Sequence, residues 1–514
     1  MKRFALVTLI ALACGVAALT AGSPKAQAGL FGGSKSSATP TPSPSPSALP
    51  TASPEPPSVA IPRLRAKLQA NPNDQEAMTQ LAGEFLQINR PDLTLQLTQH
   101  LLQMGTKSAQ VYYYDGFAQQ ALGNIPASIY DLEQASNLDP TNLAVLAQLA
   151  DAYLRTNRPA DAERVAKRAV TFNKTEPQAL EALGSVYAAE QKFDDARTQF
   201  EAALALDPKD PAPIFQIATT YVDQNNIPMA LTTIDRAIAL DPKNVQALAF
   251  KANLYARQHD DARTSAAYDD AVVAATTDDQ KVQLMISKAG YFIAEKKYPQ
   301  GEAVLTQVTS QFPKVSAGFV AYGDYYAAMH QYSRAMQEWQ QALTVDPDSA
   351  GALLGMGQIS MQNGKATDSV NYLKHYTQVS PDAQGYALLG QAYSMTHDFS
   401  GMKDACEKSF EIQRAPETLS CVAGADFELR NYKEASQIFD VLNRAAKNYM
   451  DHDAQLLFMS AKSYQANNEC AKAHDAYQRL LNMPGFKTQT KEYQTVQKAA
   501  ADPCGTQPKK KKTG

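Results

Sequence analysis

Between Pro177 and Pro208 the chain reads PQALEALGSVYAAEQKFDDARTQFEAALALDP. Two amphipathic helices fit inside this stretch, Pro177 to about Glu190 and Asp194 to about Leu206, joined by a tight turn around Lys192. With Pro177 as position 1, large apolar residues fall at 4, 7, 11 and 24 (Leu180, Leu183, Tyr187, Phe200). Small ones fall at 8, 20 and 27 (Gly184, Ala196, Ala203). Small residues let two helix backbones approach, and large ones fill the space between neighbouring units. Pro208 at position 32 ends the second helix, because its ring cannot continue an α run. The next 34 residues, Pro211 to Asn244, repeat the pattern with Ile214, Ile217, Ala218, Tyr221, Ala230, Ile234, Ala237 and Pro242. A period of this length predicts stacked helical pairs in which each unit contacts mainly its neighbours.

The same spacing returns from Ser316, with Phe319, Tyr322, Gly323, Tyr326, Ala335, Trp339, Ala342 and Pro347. It also returns from Ala109, with Tyr112, Gly116, Ser128, Leu132, Ala135 and Pro140. The pattern resembles the tetratricopeptide repeat, a helix-turn-helix unit of about 34 residues. The resemblance implies an all-α fold, a right-handed α-solenoid superhelix of about twelve units. These start near Gln75, Ala109, Leu143, Pro177, Pro211, Val245, Val282, Ser316, Ala350, Ala383, Pro416 and Ala454. Some units depart from the pattern. The unit from Val245 has Lys251 at position 7 and Thr264 at 20, and about three extra residues follow it around Thr276–Asp279. About four extra residues near Lys447–Met450 follow the unit from Pro416. The first unit, with Thr94 and Thr98 in its second helix, fits least well.

Five segments are expected: a leader over 1–28, a Pro/Ser/Thr-rich linker over 29–60, a capping helix within 61–74, the repeat array over 75–486, and a C-terminal capping helix with a basic tail over 487–514. The leader carries Lys2 and Arg3, an apolar run from Phe4 to Leu19 and the small-x-small end Ala26-Gln27-Ala28, as export signals do. A lipid anchor at Cys14 is a competing reading, but Ala11 stands where leucine is usual. The run SATPTPSPSPSALPTASPEPPS cannot bury a core and reads as a spacer. No later segment is apolar enough to span a bilayer. Removal of Met1–Ala28, with Lys2, Arg3 and Lys25, takes the formal charge from −4 to −7, which argues against general nucleic-acid binding. The Lys509–Lys512 run is expected to be a solvated tail, with weak contact to an anionic surface as the sharper reading.

Four cysteines follow the leader, an even count that suggests disulfides in an exported protein. In the repeat frame Cys406 is at position 24 of one unit and Cys421 at position 6 of the next, on helices that should pack together. Cys406–Cys421 is therefore the first pairing expected, and Cys470–Cys504 would pin the final helix, roughly Gln489–Ala501. The spacings lack a C-x-x-C metal pattern. No phosphate loop, nucleophile elbow or zinc-protease motif occurs. Asp451-His452-Asp453 holds the one histidine flanked on both sides by carboxylates, and it reads as a polar loop. No metal, cofactor or enzymatic activity is expected.

The resemblance implies that positions 2, 5, 9, 12 and 13 of each unit face a concave groove that takes protein partners. Tyr113, Phe117, Phe215, Ile286, Ile293, Phe427 and Phe458 are the candidate contacts there, as apolar anchors in a groove without a charge stripe. Members that grip an acidic chaperone tail place Lys at 5 and Asn at 9 of one unit. No unit here does so: Asn253 at position 9 has Ala249 at 5. The function expected is a non-enzymatic, exported scaffold, periplasmic or extracellular. The alternative is a periplasmic part of an envelope assembly or exopolysaccharide-export machine.

Overall fold

The computed structural model describes residues 55–446, 448–484, 486 and 490–505, with the side chain of Glu492 excepted. The leader, Cys14, most of the Pro/Ser/Thr-rich linker and the Lys509–Lys512 tail lie outside the described residues. Among those residues there are 26 α-helices, one 3₁₀ turn (Tyr449–His452) and no strand. The fold is all-α, and within residues 55–275 and again from Thr276 onward each described α-helix packs on the next in chain order, a solenoid of helical pairs. The chain divides after Ala275 into two compact units.

The pair around Pro177 shows why these residues form these elements. Proline opens the first helix, Pro177–Ala189, where its missing N–H has no intrahelical partner to lose. Gln191 then takes a left-handed conformation (φ 61°), and the Lys192 N–H returns to the Tyr187 carbonyl at 2.8 Å, which ends the helix in a Schellman-type turn. Asp194 and Asp195 sit in the first turn of the second helix, Phe193–Leu206, where the helix dipole favours them. The two helices close over Gly184. A β-carbon there would lie 2.6 Å from the Phe200 ring, so the glycine is the space the ring occupies. Full burial of Phe200 contributes roughly 1.5–3 kcal/mol.

The left-handed residue recurs at position 15 of all twelve frames. It is Asn89, Gly123, Asn157, Gln191, Asn225 and His259 in the first unit. In the second it is Lys296, His330, Gly364, His397, Arg430 and Asn468. A second recurrent device caps position 11. A cation from the following helix or turn lies over the tyrosine ring in Arg158–Tyr153 (4.4 Å), Arg263–Tyr255 (4.8 Å), Arg334–Tyr326 (5.3 Å) and Lys472–Tyr464 (5.4 Å). Each is worth roughly 0.5–1 kcal/mol.

The atypical positions have local explanations. Thr94, at position 20 of the first frame, donates its hydroxyl to the Ala82 carbonyl at 3.0 Å, as Ser369 does to Gly357 at 2.8 Å. The extra residues near Thr276 lengthen a helix rather than a loop. Thr277 caps the Gln280 N–H, and the helix runs Asp278–Ala294 over 17 residues. Of those near Lys447–Met450, Lys447 lies outside the described residues, and Tyr449 and Met450 open the 3₁₀ turn. The N-terminal capping helix begins at Pro57, inside the stretch expected as linker over 29–60, and runs through Pro62 to Ala70. The final helix is Lys491–Ala501.

Candidate inner-face binding site

Within each unit, consecutive first helices touch directly. In the first unit, Leu143–Arg155 meets Pro177–Ala189; in the second, Asp278–Ala294 meets Ser316–Ala328. A second helix packs mainly on the first helices before and after it. The first-helix side is therefore the closer-spaced, inner side, and it carries the candidate anchors.

In the first unit Phe117 is half-buried beside Tyr113, ring centroids 6.3 Å apart. Tyr113 itself keeps only 3% of its surface and belongs to the core formed with Leu146, Leu149 and Ala150, which removes it from the exposed set. Burial raises its hydroxyl well above the usual tyrosine range. Phe215 is half-buried and meets Phe250 edge-on at 6.0 Å; Thr219 and Val222 continue the same face. Asp151 on this side is occupied by Arg155 at 2.7 Å and by the Gln120 amide.

In the second unit Ile286 is half-buried, whereas Ile293 is 8% exposed and is likewise lost to a partner. The cause is Gly301 in the following helix. A β-carbon there would stand 2.6 Å from Ile293 Cγ1, so the isoleucine folds inward over the glycine. Phe427 meets Tyr432 edge-on at 5.8 Å, and Phe458 lies under Lys462 at 5.8 Å; both rings are half-buried. Asp324, at position 9, accepts from the Trp339 indole N–H at 3.1 Å, and burial pushes its carboxyl up to about 6. These anchors sit on different first helices and form no single constellation. They give an apolar face interrupted by carboxylates, suited to an extended or helical segment rather than to bond-breaking.

Cys406 and Cys421 are joined with Cα atoms 5.6 Å apart, and Cys470 and Cys504 at 5.7 Å. The first bond is buried between helices Phe399–Ile412 and Pro416–Glu428. The second ties the last pair to the end of the final helix. Their loops correspond to roughly 3 and 4 kcal/mol of chain entropy. No group of metal-binding side chains occurs among the described residues, and none of the described helices is long and apolar enough to cross a membrane.

Three polar features escape the repeat pattern. Asp115 takes position 7, where a large apolar residue is expected, and is buried with Asp131 from the following helix. Asp115 accepts from the Thr98 hydroxyl. Burial and the neighbouring Asp115 raise the Asp131 carboxyl above its ordinary range, so the pair holds a proton. Asp426, 2% exposed, is held by Lys403 at 2.8 Å and the Asn431 amide at 3.1 Å. A cleft of about 720 Å³ opens beside the inserted turn, lined by Asp440, Asn443, Asp451, Tyr464, Lys472 and Arg479 among others. Its cations are already engaged, Lys472 with Asp440 and Glu469, and Arg479 with Asp451.

Residues 64–246 match the family model of the tetratricopeptide repeat protein 21 C-terminal ARM domain. Residues 215–279 and 326–392 match two tetratricopeptide-repeat models. No curated protein matches the chain. Three solved structures are similar. One is a thermophilic TPR protein of Thermus thermophilus, with 22% identity over 32% of this chain and 91% of that one, at TM-score 0.30. Another is YrrB, described as a TPR protein with an unusual peptide-binding site, with 23% identity over 36% and 95%, at 0.29. The third is the APC/C hetero-tetramer Cut9–Hcn1, with 13% identity over 86% and 93%, at 0.33.

Proposed function

This chain belongs to the tetratricopeptide-repeat superfamily, and from that premise we propose that it is an exported interaction scaffold whose inner face holds an extended or helical segment of a protein partner. The observation that carries the proposal is the row of half-buried side chains on first helices, Phe117, Phe215, Ile286, Phe427 and Phe458, in a chain consumed by repeats. Aromatic rings of this kind supply large contact area at little entropy cost. Export is supported by the leader-like start and by two disulfides, which persist in oxidising compartments. No catalytic family is matched, and the repeat fold generally serves as a non-enzymatic scaffold.

The test is recovery of a cross-linked partner from envelope and secreted fractions of the native host. Phe215→Asp and Phe427→Asp should each reduce recovery of whatever the wild type retains, with helical content unchanged by circular dichroism. Undiminished recovery by both variants would contradict the inner-face assignment.

A further inference from the structure

The inserted turn Tyr449–His452 borders the cleft of about 720 Å³ in the second unit, which it lines through Asp451. One wall of the cleft is helix Tyr432–Ala445, with Asp440 and Asn443. The other is helix Cys470–Leu481, which turns Ala471, Lys472, Asp475, Ala476 and Arg479 towards the opening from one face. Cys470, the residue before Ala471, is bonded to Cys504 with Cα atoms 5.7 Å apart. The disulfide thus fixes the chain after the final helix at one end of the cleft, and Gly505 (φ 65°) turns it there. Residues 506–514, Thr-Gln-Pro-Lys-Lys-Lys-Lys-Thr-Gly, continue from that point and lie outside the described residues. Extended, they bring Lys509 to at most about 14 Å from Gly505 and Lys512 to about 25 Å. The lining from Lys472 to Arg479 covers only about 10 Å of helix, so the whole lysine run is within reach of it.

The charges of the cleft complement that run. Lys472 is shared between Asp440 and Glu469, at 2.6 Å from each. Arg479 is held by Asp451 at 2.6 Å and stands 3.8 Å from Asp475, whose side chain is 69% exposed. Four carboxylates therefore face two cations, and Asp475 is the one with most room for another. A tether as short as this one holds the lysines at a local concentration on the order of millimolar, at which contacts too weak to capture a free peptide are still made. We propose that the Lys509–Lys512 tail folds back into this cleft and lies along helix Cys470–Leu481, held by Asp475 and Asp440. A segment of the chain itself, and not a partner, then occupies this surface. The contact goes beyond the scaffold reading and does not depend on it: the inner face is left to partners, while the cleft, walled by two second helices, is closed to them.

The test uses the oxidised full chain at low ionic strength. Trypsin should cut within Lys509–Lys512 about tenfold more slowly than in the free peptide Gly-Thr-Gln-Pro-Lys-Lys-Lys-Lys-Thr-Gly, with both followed by intact mass. A carbodiimide should join a tail lysine to Asp475 or Asp440 of the same molecule, with loss of one water, and peptide mass spectrometry locates the amide. Asp475→Asn changes an exposed side chain and should leave helical content unaltered. It should raise the cleavage rate about threefold, the scale of one exposed ion pair, and about 1 M salt should abolish the protection altogether. Cleavage of the wild type at the free-peptide rate, cross-links only to carboxylates outside the cleft, or unchanged protection in Asp475→Asn overturns the docking. Protection that arises only on vesicles containing phosphatidylglycerol also overturns it, and assigns the tail to an anionic surface instead. Partner recovery by the inner-face variants is read separately, so the two proposals fail independently.

Discussion

Trp339 is the only tryptophan in the chain, and its indole lies between two glycines. A β-carbon added at Gly355 would stand 2.6, 2.7 and 2.8 Å from three atoms of the ring; one added at Gly323 would stand 2.5 Å from two others. The indole is 3% exposed and donates to Asp324. In an unencumbered helix Gly→Ala is stabilising by about 1 kcal/mol. At Gly355 the methyl must displace a ring that is held on both faces, and overpacking of this kind costs roughly 1–3 kcal/mol, or more where the ring is expelled. Gly355→Ala should therefore destabilise the second unit by about 2 kcal/mol, a fall in Tm of roughly 4–8 °C for a unit of this size. Gly424 supplies the control in the same unit. Its β-carbon would meet only the methyl ends of Met402 and Met459, at 3.7 and 3.8 Å, so Gly424→Ala should be neutral or stabilising. Thermal denaturation by circular dichroism measures the sign, and tryptophan emission reports the ring directly. Gly355→Ala should shift emission to the red, and Gly424→Ala should leave it unchanged. If Gly355→Ala stabilised the protein with unaltered emission, the glycine would not be serving as the seat of the ring.

Two further outcomes concern a buried carboxylate and a left-handed turn residue. The Asp131 carboxyl has a folded-state pKa above its unfolded value, so the folded chain holds a proton that the unfolded chain releases. Stability should fall as pH rises through the folded value, and Asp131→Asn should remove that fall, a difference on the order of 2 kcal/mol between pH 5 and pH 8.5 in melting experiments. Arg430 occupies a left-handed position (φ 64°) that glycine adopts freely, so Arg430→Gly should stabilise the second unit by up to about 1 kcal/mol in denaturant titration.

The repeat frame was legible because each of its positions has a steric reason: Gly184 beneath Phe200, Gly323 beneath Trp339, and proline after the second helix. The left-handed turn at position 15 was not, since Lys296, Arg430 and His397 give no local signal for it. It is set by the Schellman hydrogen bond and by docking of the second helix. The inner face could be located by register, but Tyr113 and Ile293 show the limit of that approach. Whether a position 5 or 12 side chain stays open depends on the size of residues elsewhere, Gly301 in the case of Ile293. Asp115 stands at position 7, where a large apolar residue is the rule, and its setting is given only by Asp131 and Thr98 in three dimensions.

The central claim is that partners are held on the first-helix side. Placing the photo-cross-linker p-benzoylphenylalanine at Thr219 or Ile286 on that side, and at the exposed second-helix positions Tyr130 or Val273, tests it in the native host. A covalent adduct is expected from Thr219 and Ile286 and none from Tyr130 or Val273. Adducts from the second-helix positions alone would contradict the claim.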